Sequence, residues 1–346
     1  MDAQLLRRPD QGVVIPAHPL ALDPTGEVDE RAQRALTRYY LAAGVDGIAV
    51  GVHTTQFALH ADRGRLAAVW RMAADLVATA GRDVTLVAGV CGDVDQACAE
   101  AALAASLGYR AALLCPSGMS RGDEVALLQR ARAVGEIMPT IGFYLQESVG
   151  GRRLGRAYWR QLFDLPSTVA VKAAPFDRYR TNDVAQALLG HDRWREVVLL
   201  TGNDDAIVHD LVTPYTRVVD GEPRTIRAGG GLLGQWALGT RAAVELVRRL
   251  SRELAAGSVA TASLATAADL LEVNSAVFDV AHDFAGCVAG VNEALRQRGL
   301  SATARLLAGE GALSLGQAEL IASVGERHPH LVDRDFIAEH LDSWRR

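Results

Sequence analysis

The residue best suited to covalent chemistry is Lys172. Lysine and arginine together number 36, and lysine occurs once, so 35 are arginine. A bias toward arginine explains the depletion, because the two are nearly exchangeable on a solvated surface, but it does not explain the exception. Arginine stays charged, whereas a desolvated lysine can lose its proton and attack a carbonyl. The plainer alternative is a surviving lysine whose head reaches water. Lys172 lies in the run Thr168-Val169-Ala170-Val171-Lys172-Ala173-Ala174. Strand alternation puts Ala170, Lys172 and Ala174 on one face and Val169 and Val171 on the other. If the first face is interior, the alanines leave room for a substrate and burial lowers the pKa of the amine.

Other candidates gather around it. In Ile141-Gly142-Phe143-Tyr144, alternation sets Gly142 and Tyr144 opposite Ile141 and Phe143, which predicts a hydroxyl beside the amine. Tyr144 is then either a proton shuttle or a core residue with a satisfied hydroxyl. The stretch Gly51-Val52-His53-Thr54-Thr55 offers amides and hydroxyls for a carboxylate, and it also reads as an ordinary turn. His18, His53 and Asp204 fall at expected strand ends; His18 and Asp204 are read as substrate contacts, and His53 is a candidate proton carrier near neutral pH. No histidines stand at the spacing of a strand-borne metal pair, so no metal is expected. Gly229-Gly230-Gly231 precedes a helical pattern but lacks the Walker lysine, so Gly230 is read as making space for substrate at the rim. Cys91, Cys98, Cys115 and Cys287 lack zinc spacing and read as small buried groups.

These residues need a scaffold, and β-like runs alternating with helical ones supply it. The expected strands are Gly12–His18, Gly47–Val52, Val84–Val90, Arg110–Pro116, Thr140–Leu145, Thr168–Ala173, Glu196–Gly202 and Thr225–Gly230. Amphipathic stretches separate them; in Glu27–Ala43, for example, Val28, Ala32, Leu36, Tyr39 and Ala42 recur at helical spacing and Gly44 follows as a stop. The pattern predicts a (β/α)8 barrel over residues 11–254, whose active site forms at the C-terminal ends of the strands. Beyond it, Ala262–Leu271, Ser275–Arg298, Ser314–Arg327 and Arg334–Trp344 read as helices, with Ser314 and Gln317 spaced as a capping box. Residues 258–346 are expected to pack on the barrel, because Gly257–Ser258 is a poor linker.

Composition narrows the function. Apolar residues at 49% and charged residues at 22% are ordinary for a globular protein. A net charge of -5 and a pI near 6.0 offer no basic field, so no nucleic acid or anionic membrane partner is expected. No membrane span or secretory leader is read, which predicts a cytoplasmic protein.

The segments GVVIPAHPLALDPTGEVDE, AGVDGIAVGVHTT, VTLVAGVCGD, RAALLCPSG, PTIGFYL, TVAVKAA and LLTGNDDA, in this order, resemble the dihydrodipicolinate synthase / N-acetylneuraminate lyase family over about residues 11–254. The helical tail also fits that family's plan. The resemblance implies a class I aldolase-type lyase, with its Schiff-base lysine at Lys172 and its Y-N-x-P tyrosine at Tyr144, 28 residues earlier. The family's G-[ST]-T-G-E loop falls on Val52-His53-Thr54-Thr55-Gln56, where only Thr54 is kept. Its T-P-Y-Y stretch reads Cys115-Pro116-Ser117-Gly118, which lacks the second relay tyrosine. Leu145-Gln146-Glu147-Ser148-Val149 lacks the arginine that the synthases use for a substrate carboxylate.

These departures argue against an authentic dihydrodipicolinate synthase while leaving Schiff-base formation intact. The expected function is a lyase acting on pyruvate or another 2-oxo acid. The alternatives are a 2-keto-3-deoxy sugar acid dehydratase using the same lysine, or a barrel that binds a metabolite without turnover. No organic cofactor is implied, since the iminium is itself the electron sink. The family suggests a homo-oligomer, dimer or tetramer.

Overall fold

The computed structural model describes Leu6, residues 11–119 and residues 123–346. Its strands are β1 (Val13–Pro16), β2 (Gly47–Val50), β3 (Thr85–Val90), β4 (Ala111–Leu114), β5 (Thr140–Leu145), β6 (Thr168–Ala174), β7 (Val198–Thr201), β8 (Tyr215–Val219), β9 (Glu222–Ile226) and β10 (Gly230–Leu233). All except β8 and β9 join one sheet in the order β1-β10-β7-β6-β5-β4-β3-β2. A parallel bridge between Ala17 and Ala49, with the His18 N–H donating to the Ala49 carbonyl (2.8 Å), links the two end strands. The fold is therefore a (β/α)8 barrel with C-terminal helices. Its eight strands are buried at every position, as apolar runs enclosed on both faces must be.

The helices after the first six barrel strands are α1 (Glu30–Ala43), α2 (Arg63–Ala78), α3 (Val94–Ser106), α4 (Glu124–Gly135), α5 (Arg156–Asp164) and α6 (Arg178–Leu189). All but α5 begin on an aspartate (Asp29, Asp62, Asp93, Asp123 and Asp177) whose carboxylate accepts a first-turn amide and so caps the helix. Gly44 closes α1 in the left-handed conformation (φ 91°), as the pattern predicts.

The last part of the barrel departs from expectation. A six-residue α7 (Ile207–Val212) leads into an antiparallel hairpin, β8–β9, and only then into β10. The eighth barrel strand is thus Gly230–Leu233 rather than Thr225–Gly230, because Thr225 and Ile226 pair with Thr216 and Tyr215 in the hairpin. After α8 (Thr240–Ala255) come α9 (Thr261–Val277), α10 (Cys287–Gln297), α11 (Gln317–Arg327) and α12 (Arg334–Trp344). The expected helix Ser275–Arg298 is broken. Asp279, Asp283 and Phe284 take positive φ, and the Asp279 carboxylate holds the turn by accepting from His282 Nδ1 (2.7 Å), the Gly286 N–H (2.9 Å) and the Ser314 hydroxyl (2.5 Å). That contact also takes the Ser314 hydroxyl out of the expected capping box, of which only the Gln317 arm, accepting the Ser314 N–H, is formed.

The chain divides into two compact units. One comprises the segment ending at Val13 with Val87–Leu232 and Val247–Leu264, and the other comprises Val14–Leu86, Leu233–Leu246 and Ala265–Arg346. The first contains β4 to β9 and α3 to α7. The second contains β2, α1, α2 and α10 to α12. Among the described residues no helix is long and apolar enough to cross a membrane.

Candidate active site

Lys172 lies two residues from the end of β6, at the face of a barrel where loops can reach a substrate. The expected alternation holds. A side chain at Gly202 would meet both the Lys172 stem (Cε, 2.5 Å) and Ala174 Cβ (2.7 Å), so Lys172 and Ala174 share a face. Gly202 is required there because the stem lies against the backbone of the neighbouring strand's end. The residue is 7% exposed. Burial pulls its pKa from 10.5 down to about 8, opposed by the Asp204 carboxylate and then by the Cys115 sulfur. Nζ lies 4.3 Å from the centroid of the Phe143 ring, a contact that favours the cation.

Phe143, not Tyr144, is the residue facing Lys172. Thr140 pairs with Thr168, 28 residues apart, and continuing that register would set Tyr144 opposite Lys172. The register slips at the next step, where Ile141 pairs with Ala170, so Phe143 pairs with Lys172 and Tyr144 with Ala173. One extra residue in β6 puts every later side chain of β5 on the face opposite that of the residue 28 positions further on. Two contacts agree. A Cβ on Gly142 would meet Leu162 of α5 at 2.5 Å, and the Tyr144 ring packs on Trp159 of α5 at 5.3 Å. The Tyr144 hydroxyl accepts the Leu154 N–H (3.4 Å), and burial raises its pKa, partly offset by Leu154 and Arg180. The expectation of a phenol beside the amine is therefore not met.

Asp204 follows β7 in the loop that also carries Gly202 and is 8% exposed. It is the carboxylate that acts on Lys172, and the two residues lie in the same unit. Cys115, after β4, also acts on Lys172. Cys91, Cys115 and Cys287 are buried as expected, and Cys98 is half-buried.

Gly230 does not belong with them. It opens β10 rather than closing a strand, at the end of the barrel opposite the site. At φ 126° a Cβ there would lie 2.1 Å from the Val13 carbonyl oxygen, so it is a glycine for close backbone packing.

The remaining predicted residues lie in the other unit. His18 is fully buried, with Nδ1 2.8 Å from the Pro19 carbonyl, Nε2 2.9 Å from the Thr37 hydroxyl and its ring edge-on to Tyr40 at 5.1 Å. Burial lowers its pKa to about 4, so it is a neutral core histidine rather than a substrate contact. Thr55 closes its own turn. Its hydroxyl donates to the His18 carbonyl (2.6 Å) and accepts the Gly51 and Val52 N–H groups (2.9 and 3.1 Å), which removes both amides from the expected carboxylate cradle. The Thr54 hydroxyl proton goes to the Ala17 carbonyl (2.9 Å). His53 is half-buried, with its ring 5.5 Å from that of Phe57.

Sequence reasoning missed Phe143 because a bulge leaves no mark in a strand's alternation. It also left unread Asn203, in the LLTGNDDA segment, whose side chain bonds to Phe176, Thr181 and Asp210.

Residues 11–213 match the dihydrodipicolinate synthetase family, and the chain belongs to that family, whose members are lyases. The match ends just before the hairpin, the part of the barrel that departs most from expectation. Similar solved structures include YagE, a prophage protein of the dihydrodipicolinic acid synthase family from E. coli K12 in complex with pyruvate (17% identity, 91% of this chain and 98% of that one, TM-score 0.74). N-acetylneuraminate lyase from Fusobacterium nucleatum (16%, 92% and 99%, 0.71) and dihydrodipicolinate synthase from Bacillus anthracis (17%, 91% and 97%, 0.73) share the fold. No curated protein sequence matches the chain.

Proposed function

We propose that this protein is a Schiff-base lyase in which Lys172 attacks the ketone of a 2-oxo acid. The observation that carries the reading is a buried amine, the chain's single lysine, with a pKa of about 8 at the end of a barrel strand. Near that pH a large fraction is neutral and nucleophilic. Membership of a lyase family supports the same chemistry.

In the proposed cycle the Nζ lone pair adds to C2, the carbonyl oxygen takes a proton, and loss of water from the carbinolamine leaves a C2=N iminium. As the C4 hydroxyl gives up its proton, the C3–C4 bond breaks, its electrons enter the iminium, and an aldehyde and an enamine form. Protonation at C3 and hydrolysis then release pyruvate and restore the amine. With Tyr144 on the other face of β5, Asp204 is the proposed proton carrier, because its carboxylate is the charge that acts most strongly on Lys172. The Phe143 ring would stabilise the iminium cation as it does the ammonium.

Exchange of the C3 hydrogens of pyruvate for deuterium tests the enamine without knowledge of the aldehyde. Exchange by the wild type and none by Lys172→Met is the expected result across a panel of 2-oxo acids. Equal exchange by both proteins, or none by either across the panel, overturns the reading.

A further inference from the structure

Two loops leave the barrel beside Lys172, one after β6 and one after β7, and the side chain of Asn203 joins them. Asn203 Oδ1 accepts the Phe176 N–H (3.0 Å), and Nδ2 donates to the Thr181 hydroxyl (3.0 Å) and to the Asp210 carboxylate (2.8 Å). Its backbone N–H donates to the Thr201 hydroxyl (3.2 Å), whose own proton goes to the same Asp210 oxygen (2.6 Å). The residue is 1% exposed, and both ends of its amide are spent on protein. Phe176 has a φ of 52°, a strained conformation for a bulky side chain, and the Asn203 carbonyl fixes its amide. Asp210 is anchored in turn by an ion pair with Arg178 of α6.

Gly202 and Asp204 flank Asn203 in the sequence. The first receives the Lys172 stem and the second supplies the carboxylate that acts on the amine. We infer that Asn203 is a positioning residue for Lys172: it ties the loop after β6 to the loop after β7, so that Gly202 stays against the lysine stem and Asp204, next in the chain, is held in place beside it. A lysine in an apolar surround responds steeply to the distance of its counter-charge, so the position of this loop sets its proton affinity. The importance of that affinity rests on the proposed Schiff-base chemistry, but the placement does not.

Because the chain has one lysine, 13C-lysine labelling gives a single side-chain resonance, whose pH titration reports Lys172 directly. The Phe143 ring of β5 faces it, and the groups that act on its charge are the Asp204 carboxylate, in the loop after β7, and the Cys115 sulfur, after β4. Around Asp210 stand Arg178, Asp205 and Tyr215. In the wild-type background, Asp204→Asn is expected to lower the midpoint by about 1 unit. In the Asn203→Ala background the same substitution is expected to shift it by less than half as much, because Asp204 is no longer held in place. A purely structural role for Asn203 would lower the melting temperature and leave the Asp204→Asn shift unchanged, and that outcome overturns the inference. If Asn203→Ala does not fold, Thr181→Val, which deletes one of the bonds, is judged by the same criterion. The exchange Asn203→Asp with Asp210→Asn, which swaps donor and acceptor across the 2.8 Å bond, is expected to restore the coupling. Absence of deuterium exchange by the wild type would refute the lyase reading and leave this result standing.

Discussion

At the scale of single residues, Phe143 and Tyr144 have exchanged the places that their spacing from Lys172 suggests. Tyr144→Phe is therefore expected to leave deuterium exchange within about threefold of wild type, whereas loss of a general acid–base group costs about a hundredfold or more. Phe143→Tyr is expected to raise the rate about tenfold or more by setting a hydroxyl beside Nζ. Exchange kinetics on the two variants check both statements, and a hundredfold loss in Tyr144→Phe would return the phenol to the site. That Lys172 and Ala174 share a face was legible because it depends only on local alternation. The identity of its cross-strand neighbour was not, since a bulge between Thr140 and Ile141 depends on how two strands 28 residues apart settle against each other. His18 and Thr55 were read as ligand contacts because position at a strand end says nothing of whether a side chain's bonds are already taken.

At the scale of elements, the first seven strands of the barrel and most helices could be read from apolar runs, helical spacing and stop signals. The eighth could not. Gly230 and Gly231 carry no side chains to signal a strand, while Thr225 and Ile226 look β-like and belong to the hairpin. Helix α8 was legible, but not the means by which it starts. Its first turn is capped by Asp333, which accepts the Arg241 and Ala242 N–H groups (2.6 and 2.9 Å) and the Tyr39 hydroxyl (2.6 Å). These residues are more than 90 positions apart in sequence, beyond any local motif. Replacing Asp333 by alanine leaves one buried and two half-buried donors without their acceptor, and a loss of about 2–3 kcal/mol is expected in urea unfolding. A loss below about 0.5 kcal/mol would show that the cap contributes little.

At the scale of the whole molecule, two buried bases shape stability against pH. His18 has a folded-state pKa of about 4 against 6.5 when unfolded. Between those values the unfolded chain binds the proton more readily, so stability falls as pH drops from about 6.5 to about 4. Lys172, at about 8 against 10.5, acts with the same sign in a higher window. Below about pH 8 the folded protein carries the full cost of a buried ammonium, and the cost is relieved as pH rises toward 10.5. The depression corresponds to about 3 kcal/mol at neutral pH. Lys172→Met, which keeps the stem and removes the charge, is expected to be the more stable protein at pH 7 by an amount of that order, with the difference fading above about pH 10. Chemical denaturation of both proteins across the pH range checks this, and equal stability at pH 7 would show that the amine is not desolvated in solution.

The most direct measurement is reduction with borohydride in the presence of each of a panel of 2-oxo acids, followed by peptide mass mapping. A reduced substrate adduct on Lys172, forming more readily as pH rises toward 8 and absent from Lys172→Met, is the expected result. An unmodified Lys172 with every acid tested, in a protein that is folded throughout, would contradict it.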